Sequence, residues 1–310
     1  MRAPTNLQDA TAVIELFDQA AQTLRSSPLR AGSTMHLPGH GRLLATGDLH
    51  DNPDHLRKIV HLARLEDSPQ YCLVLHEIIH SDRLINGVDL SHRMLLRVAD
   101  LLVKYPRQVH VLLANHELAQ MTGRGVSKGA GNSIELFNGG LAFVFGDQWD
   151  AVAEAVNRFI RAMPLALMTA SGLLCSHSLP APSAMDLFDP DVLHRELTDE
   201  DYRPGDGSAY MMVWGRGYSD QQVELLAKRW GAKLFCLGHV HADAGAATRG
   251  RRVIVLNSDH ELASVLPIDL ACVPTAEEAI LSAVRLRAIA LPQQPQRSTA
   301  QTQKPQSSKP

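Results

Sequence analysis

The chain has 310 residues, 45% of them apolar and 20% charged, with a formal net charge of -3; this is the balance of a globular protein able to bury a sizeable core. No basic field of the kind that neutralises many phosphates is present, which argues against a nucleic acid polymer as partner. The N-terminus lacks the apolar stretch of a signal peptide and no run approaches transmembrane length, so the expectation is a cytoplasmic protein with no membrane partner.

In chain order, Val13, Ile14, Phe17, Ala20, Ala21 and Leu24 recur at helical spacing and predict an amphipathic leading helix over 7–25, followed by a polar connector. Residues 1–32 are taken as part of one domain with 33–286. From there short apolar runs alternate with helical patterns, the rhythm of an α/β protein. Strands are predicted at 43–46, 71–75 and 108–113, with a helix opened by Pro53 and another over 91–105 stopped by Pro106. The Gly-rich passage 122–140 reads as loop. Residues 165–170 and 172–176 predict a strand pair. Ser219 and Gln222 predict a capping box opening a helix that ends at Gly231, and 234–237, 252–256 and 262–266 predict later strands. Residues 287–310, dominated by Pro, Gln and Ser beyond Pro292, predict a disordered tail. Cys72, Cys175 and Cys236 lie inside apolar runs and read as buried thiols, neither disulfides nor zinc ligands.

The chemistry lies at the ends of the strand-like runs. Five of them end in residues that bind hard or borderline metals: Asp48 and His50; Glu77; Asn115 and His116; His177; His239 and His241. An isolated histidine beside an apolar run is more often a hydrogen-bonded core residue than a ligand. Loops at one end of a packed sheet converge, however, and would gather these groups into one pocket. Mixed carboxylate and imidazole ligation suits Mn, Fe or Zn better than Ca or Mg, and the ligand count suits two divalent metal ions. His36, His40, His55, His61, His92, His110, His194 and His260 read as surface or structural residues, while His76 and His80 fit either reading.

The ordered set Gly47-Asp48-x-His50, Glu77, Asn115-His116-Glu117, His177 and Gly238-His239-x-His241 resembles the signature of calcineurin-like metallophosphoesterases. Tyr105-Pro106 and Trp214-Gly215-Arg216-Gly217 resemble the Ser/Thr phosphoprotein phosphatase branch. The resemblance implies two mixed β-sheets packed as a sandwich and flanked by helices. Carried over by position, it implies Asp48, His50 and His241 on a first metal, Asn115, His177 and His239 on a second, and Glu77 bridging them. A hydroxide shared by the two ions would attack phosphorus in line, with His116 as general acid and Arg216 gripping the phosphate.

The second motif departs from the family's Gly-Asp-x-x-Asp-Arg-Gly, reading His76-Glu77-Ile78-Ile79-His80-Ser81-Asp82-Arg83. His80 stands where an aspartate would orient the general acid, and Arg83 is a candidate substitute for a missing phosphate-binding arginine. Leu113-Ala114 and Ser176-His177-Ser178 depart as well. The expected function is hydrolysis of a phosphomonoester, on a phosphoprotein or a small phosphorylated metabolite. The alternatives are a nucleotide or dinucleoside polyphosphate hydrolase or phosphodiesterase of the same superfamily, and a catalytically impaired metal-binding scaffold.

Overall fold

A computed structural model of the chain describes residues 6–124, 127–128 and 131–292. The strands, in chain order, are β1 (Arg30–Ala31), β2 (Thr34–Leu37), β3 (Arg42–Asp48), β4 (Tyr71–His76), β5 (Val109–Leu112), β6 (Ser127–Lys128), β7 (Gly131–Asn132), β8 (Ala166–Thr169), β9 (Leu173–Ser176), β10 (Leu234–Leu237), β11 (Ala246–Arg249), β12 (Val253–Leu256), β13 (Ser264–Asp269) and β14 (Val284–Arg285). Among the described residues they form a seven-stranded sheet in the order β1-β2-β8-β9-β10-β12-β11 and a five-stranded sheet in the order β14-β13-β3-β4-β5, beside the small β6-β7 pair. Both large sheets are mixed: β9, β10 and β12 run parallel, as do β3, β4 and β5, while β8-β9, β11-β12 and β13-β3 are antiparallel.

Strands buried on both faces explain the uninterrupted apolar runs. Leu43 and Ala45, Cys72 and Val74, Leu173 and Cys175, Leu234 and Cys236, and Ile254 and Leu256 pack into one core. The alternate residues Leu44, Leu73, Leu174, Phe235 and Val255 join the larger core that also takes in the helices. The three thiols of these strands are therefore core residues, and burial pushes the Cys72 thiol up to about 11.

The helices are α1 (Ala10–Arg25), α2 (Pro53–Ala63), α3 (His92–Lys104), α4 (Asn115–Thr122), α5 (Ser133–Phe145), α6 (Trp149–Ala162), α7 (Ser208–Trp214), α8 (Asp220–Trp230) and α9 (Ala276–Ser282). The leading helix starts where the Asp9 carboxylate accepts from the amides of Thr11 and Ala12. It packs on α6 and α3, with the Phe17 and Phe159 rings stacked 5.7 Å apart.

Three local expectations need correction. The passage read as loop over 122–140 contains α5, because the Asn132 side chain caps it through the amide of Ile134, and Ile134, Phe137 and Leu141 bury one face despite Gly139 and Gly140. The connector after α1 holds β1 and β2, and β2 pairs with β8. At α8 the Ser219 hydroxyl accepts from the Gln222 amide, but the Gln222 side chain turns away to the Pro180 carbonyl, so the reciprocal half of the box is missing. The predicted tail begins with a single 3-10 turn, Leu286–Ala288, and beyond residue 292 it lies outside the described residues.

His92 and His110 lie in apolar surroundings, and their ring nitrogens have no hydrogen-bond partner among the described residues. His92 sits against Phe137 and Phe145. Burial lowers both imidazoles from 6.5 to about 4, so between these values the unfolded chain binds protons that the folded chain does not. Stability should accordingly fall as pH drops from 6.5 towards 4, each histidine contributing on the order of 3 kcal/mol at the bottom of that window and nothing above it. Urea unfolding at pH 7 and pH 5 checks this: His92→Leu and His110→Val should each flatten the pH dependence.

Candidate metal centre

The two sheets approach each other closely at the C-terminal end of β3. A Cβ on Gly47 would lie 1.9 Å from the Leu256 carbonyl oxygen, so only glycine fits. Asp48 bridges to Asn257, and the Ser258 amide donates to the Asp48 carbonyl. The loops after β3, β4, β5, β9 and β10 open at this end. The amides of Leu49 and His50 both donate to the Glu77 carbonyl, which straps the first loop to the second. The Glu117 carboxylate, wholly buried at the start of α4, accepts from the amides of Ile78 and Ile79 and so fixes the second loop to the third. Burial raises that carboxyl to about 7.

Seven non-glycine residues among those described have positive φ; His50, Glu77, His80 and His239 are four of them, and Asp51 adjoins His50. Such conformations cost about 1–3 kcal/mol each and persist where surrounding structure holds them, often at functional sites.

The result is one buried cluster. Glu77 places Oε1 3.4 Å from His116 Nε2 and 3.6 Å from His50 Nε2, and Oε2 3.3 Å from His177 Nε2. His177 Nε2 lies 2.7 Å from Asn115 Oδ1. Asp48 accepts from the His239 amide through both carboxylate oxygens, and its Oδ1 is 3.8 Å from His177 Nδ1. Among the described residues, three groups have ligand atoms converging closely enough to hold a metal ion: His50, Glu77 and His116; Glu77, His177 and His239; and Asp48, His76 and His177.

The donor set fits divalent cations. Desolvation, followed by the neighbouring imidazoles, holds His177 well below the ordinary histidine value. Desolvation followed by the Arg216 charge lowers His239 to about 4. Both are therefore neutral, with lone pairs available. His239 Nε2 is buried with no hydrogen-bond partner among the described residues, an arrangement that is costly unless a cation completes it.

Of the residues singled out in the sequence, Asp48, His50, Glu77, Asn115, His116, His177 and His239 come together here. His241 does not: its side chain is 70% exposed, with Nε2 3.0 Å from Asp243 Oδ1 and its ring beside His260. Arg83 donates to the carbonyls of His50 and Asp259 and so braces the first loop. Arg216 is exposed near His239.

Two residues that sequence reasoning left undecided also lie in the cluster. His76 Nδ1 is 2.9 Å from His177 Nδ1. His80 Nδ1 is 3.2 Å from His116 Nδ1, and its Nε2 is 2.9 Å from Gln120 Oε1, while the Gln120 amide donates to Asn138. The available signal was position, since His76 directly ends an apolar strand.

The profile of the calcineurin-like phosphoesterase family matches residues 41–243. A search of curated proteins finds no match. Among solved structures, a protein serine/threonine phosphatase from Saccharomyces cerevisiae with similarity to human phosphatase PP5 superposes with a TM-score of 0.61 at 14% identity, covering 84% of this chain and 83% of that one. A cold-active protein-tyrosine phosphatase of a psychrophilic Shewanella superposes with a TM-score of 0.51 at 10% identity, covering 81% and 80%. At these identities the likeness is one of fold. The family match covers most of the chain and takes in the strand ends that build the buried cluster, and on that ground the chain belongs to the calcineurin-like phosphoesterase family of metal-dependent hydrolases.

Proposed function

We propose that the chain hydrolyses a phosphomonoester at a dinuclear metal centre, and the observation that carries this is the Glu77 carboxylate shared between two groups of ligands. One oxygen faces His50 and His116, the other His177, and His239 belongs to the second group. In this reading His50 would hold the first ion, Asn115, His177 and His239 would hold the second, and Glu77 would serve both, with Asp48 beside them. Divalent ions bound there would supply Lewis acidity and make water a competent nucleophile near neutral pH.

The chain's own residues position and protonate. Gln120 Oε1 accepts from His80 Nε2, which leaves His80 Nδ1 to accept the Nδ1 proton of His116. His116 Nε2 is then the atom facing the cluster, and a proton carried there would pass to the leaving oxygen. Arg216, exposed beside His239, has the planar donor fork suited to phosphoryl oxygens. The diesterase alternative drew on the paired histidines of His239-x-His241; with His241 turned to solvent beside Asp243, the monoester reading is favoured.

Two measurements test this. Glu77→Gln removes the charge shared between the ligand groups and should weaken Mn binding at both. Glu77→Asp withdraws the carboxylate by one methylene and should leave fewer bound ions per chain together with reduced phosphate release. Unchanged metal content, affinity and rate in both variants would remove Glu77 as the bridge. His116→Asn should slow an alkyl phosphomonoester by about 10²–10⁴-fold and p-nitrophenyl phosphate far less, because nitrophenolate leaves without a proton. Equal slowing of the two substrates would remove His116 as the acid.

A further inference from the structure

His76 ends β4 with its ring 3% exposed, and its two nitrogens meet partners of different kinds. Nε2 lies 2.9 Å from the Thr46 carbonyl oxygen. That oxygen can only accept, so the imidazole proton is on Nε2. Nδ1 of the neutral ring is then a bare acceptor. The 2.9 Å contact between His76 Nδ1 and His177 Nδ1 therefore needs a proton from the other side, and His177 donates it. The opposite arrangement would set the bare Nε2 of His76 against the Thr46 oxygen.

The consequence falls on His177. With its proton on Nδ1, its Nε2 presents a lone pair to Asn115 Oδ1 at 2.7 Å and Glu77 Oε2 at 3.3 Å, both of them acceptors. Lone pairs converging in this way form a cation-binding arrangement, and the partner of the other ring nitrogen decides which nitrogen of a histidine faces the metal. Asp48 is the other nearby acceptor, but its Oδ1 is 3.8 Å from His177 Nδ1 and both its oxygens already accept from the His239 amide.

We propose that His76 is a positioning residue which, by accepting the Nδ1 proton of His177, fixes the tautomer and ring orientation that turn His177 Nε2 towards the metal. The task usually falls to a carboxylate, a carbonyl or water; in this chain an imidazole performs it, itself held by a backbone carbonyl of the neighbouring strand. Packing keeps the ring in place. A Cβ on Gly238 would lie 2.4 Å from His76 Cε1 and 3.2 Å from its Nδ1, so the bare backbone there is what leaves room for the ring. The proposal rests on the metal-centre reading above.

The test uses the full chain labelled with 15N-histidine and loaded with diamagnetic zinc, because without a cation the His177 Nε2, facing two acceptors, would itself carry the proton. In the wild type, the His177 Nδ1 resonance should be of the protonated, pyrrole-like kind and its Nε2 pyridine-like, with the reverse pattern for His76. Calorimetric titration of the chain freed of metal, with Mn alone, should show His76→Leu binding about 10–100-fold more weakly while still filling to the wild-type number of ions. His76→Asn, whose amide oxygen can accept in place of Nδ1, should recover most of that affinity. Three results would overturn the proposal: a proton on Nε2 of His177 in the wild type, a Leu variant binding as tightly as the wild type, or a Leu variant that saturates one ion short, which would make His76 a direct ligand. If the Leu variant does not fold, the wild-type tautomers and the Asn variant decide. A wild type that binds no Mn would instead remove the metal-centre reading, and this proposal with it.

Discussion

The close meeting of the two sheets at the end of β3 is the constraint on which the rest of the site depends. Gly47 lies against the Leu256 carbonyl with no space for a Cβ, and Asp48 pairs with Asn257 directly beyond it. Elsewhere the sheets are separated by two rows of apolar side chains, and packed sheets ordinarily stand about 10 Å apart. At this end the separation closes to backbone contact, so candidate ligands at the ends of β3 and β4 of one sheet and of β9 and β10 of the other fall within reach of one another. His76 spans the same gap, hydrogen-bonded to β3 on one side and to His177 on the other.

This convergence brings together groups that oppose being buried together. Glu77, Asp48, His177 and His239 are all nearly inaccessible to water, and an ionised carboxylate taken out of water needs a compensating charge or several hydrogen bonds. Part of the compensation is local: Asp48 accepts twice from one backbone amide, and the neighbouring carboxylate of Glu117 accepts from two. The remainder is what a bound cation would supply. The same loops hold His50, Glu77, His80 and His239 at positive φ, so backbone strain and buried polarity are concentrated where loops from both sheets brace one another.

Much of this was legible in the sequence because both faces of the central strands are buried. Strands of that kind read as unbroken apolar runs ending abruptly in polar residues, which located β3, β4, β9, β10 and β12 and, with them, Asp48, Glu77, His177 and His239. What was illegible depended on contacts between distant segments. Nothing in Arg83 indicates that its guanidinium meets two backbone carbonyls, and nothing in His239-x-His241 indicates that the second histidine turns out to pair with Asp243. The helix α5 was hidden by its two glycines, whose low propensity is overridden by tertiary burial of Ile134, Phe137 and Leu141. His76 carried a signal, a histidine closing a buried strand, but its role depends on which atoms of Thr46 and His177 meet its two nitrogens.

The seven-stranded sheet has a consequence for how the protein is made. β2 pairs with β8, whose partner residues lie more than a hundred positions later in the chain, and β10 pairs with β12 on its other side. During synthesis from the N-terminus, the β1-β2 pair must remain without its next strand until the region around residue 170 has emerged, and the sheet is not complete until β12 follows. Long-range pairings of this kind slow folding and expose strand edges meanwhile. The residues of the buried cluster run from Asp48 to His239, so a nascent chain cannot assemble the whole cluster for most of its elongation. The cluster is therefore assembled late, after the long-range strand pairings that bring its two halves together.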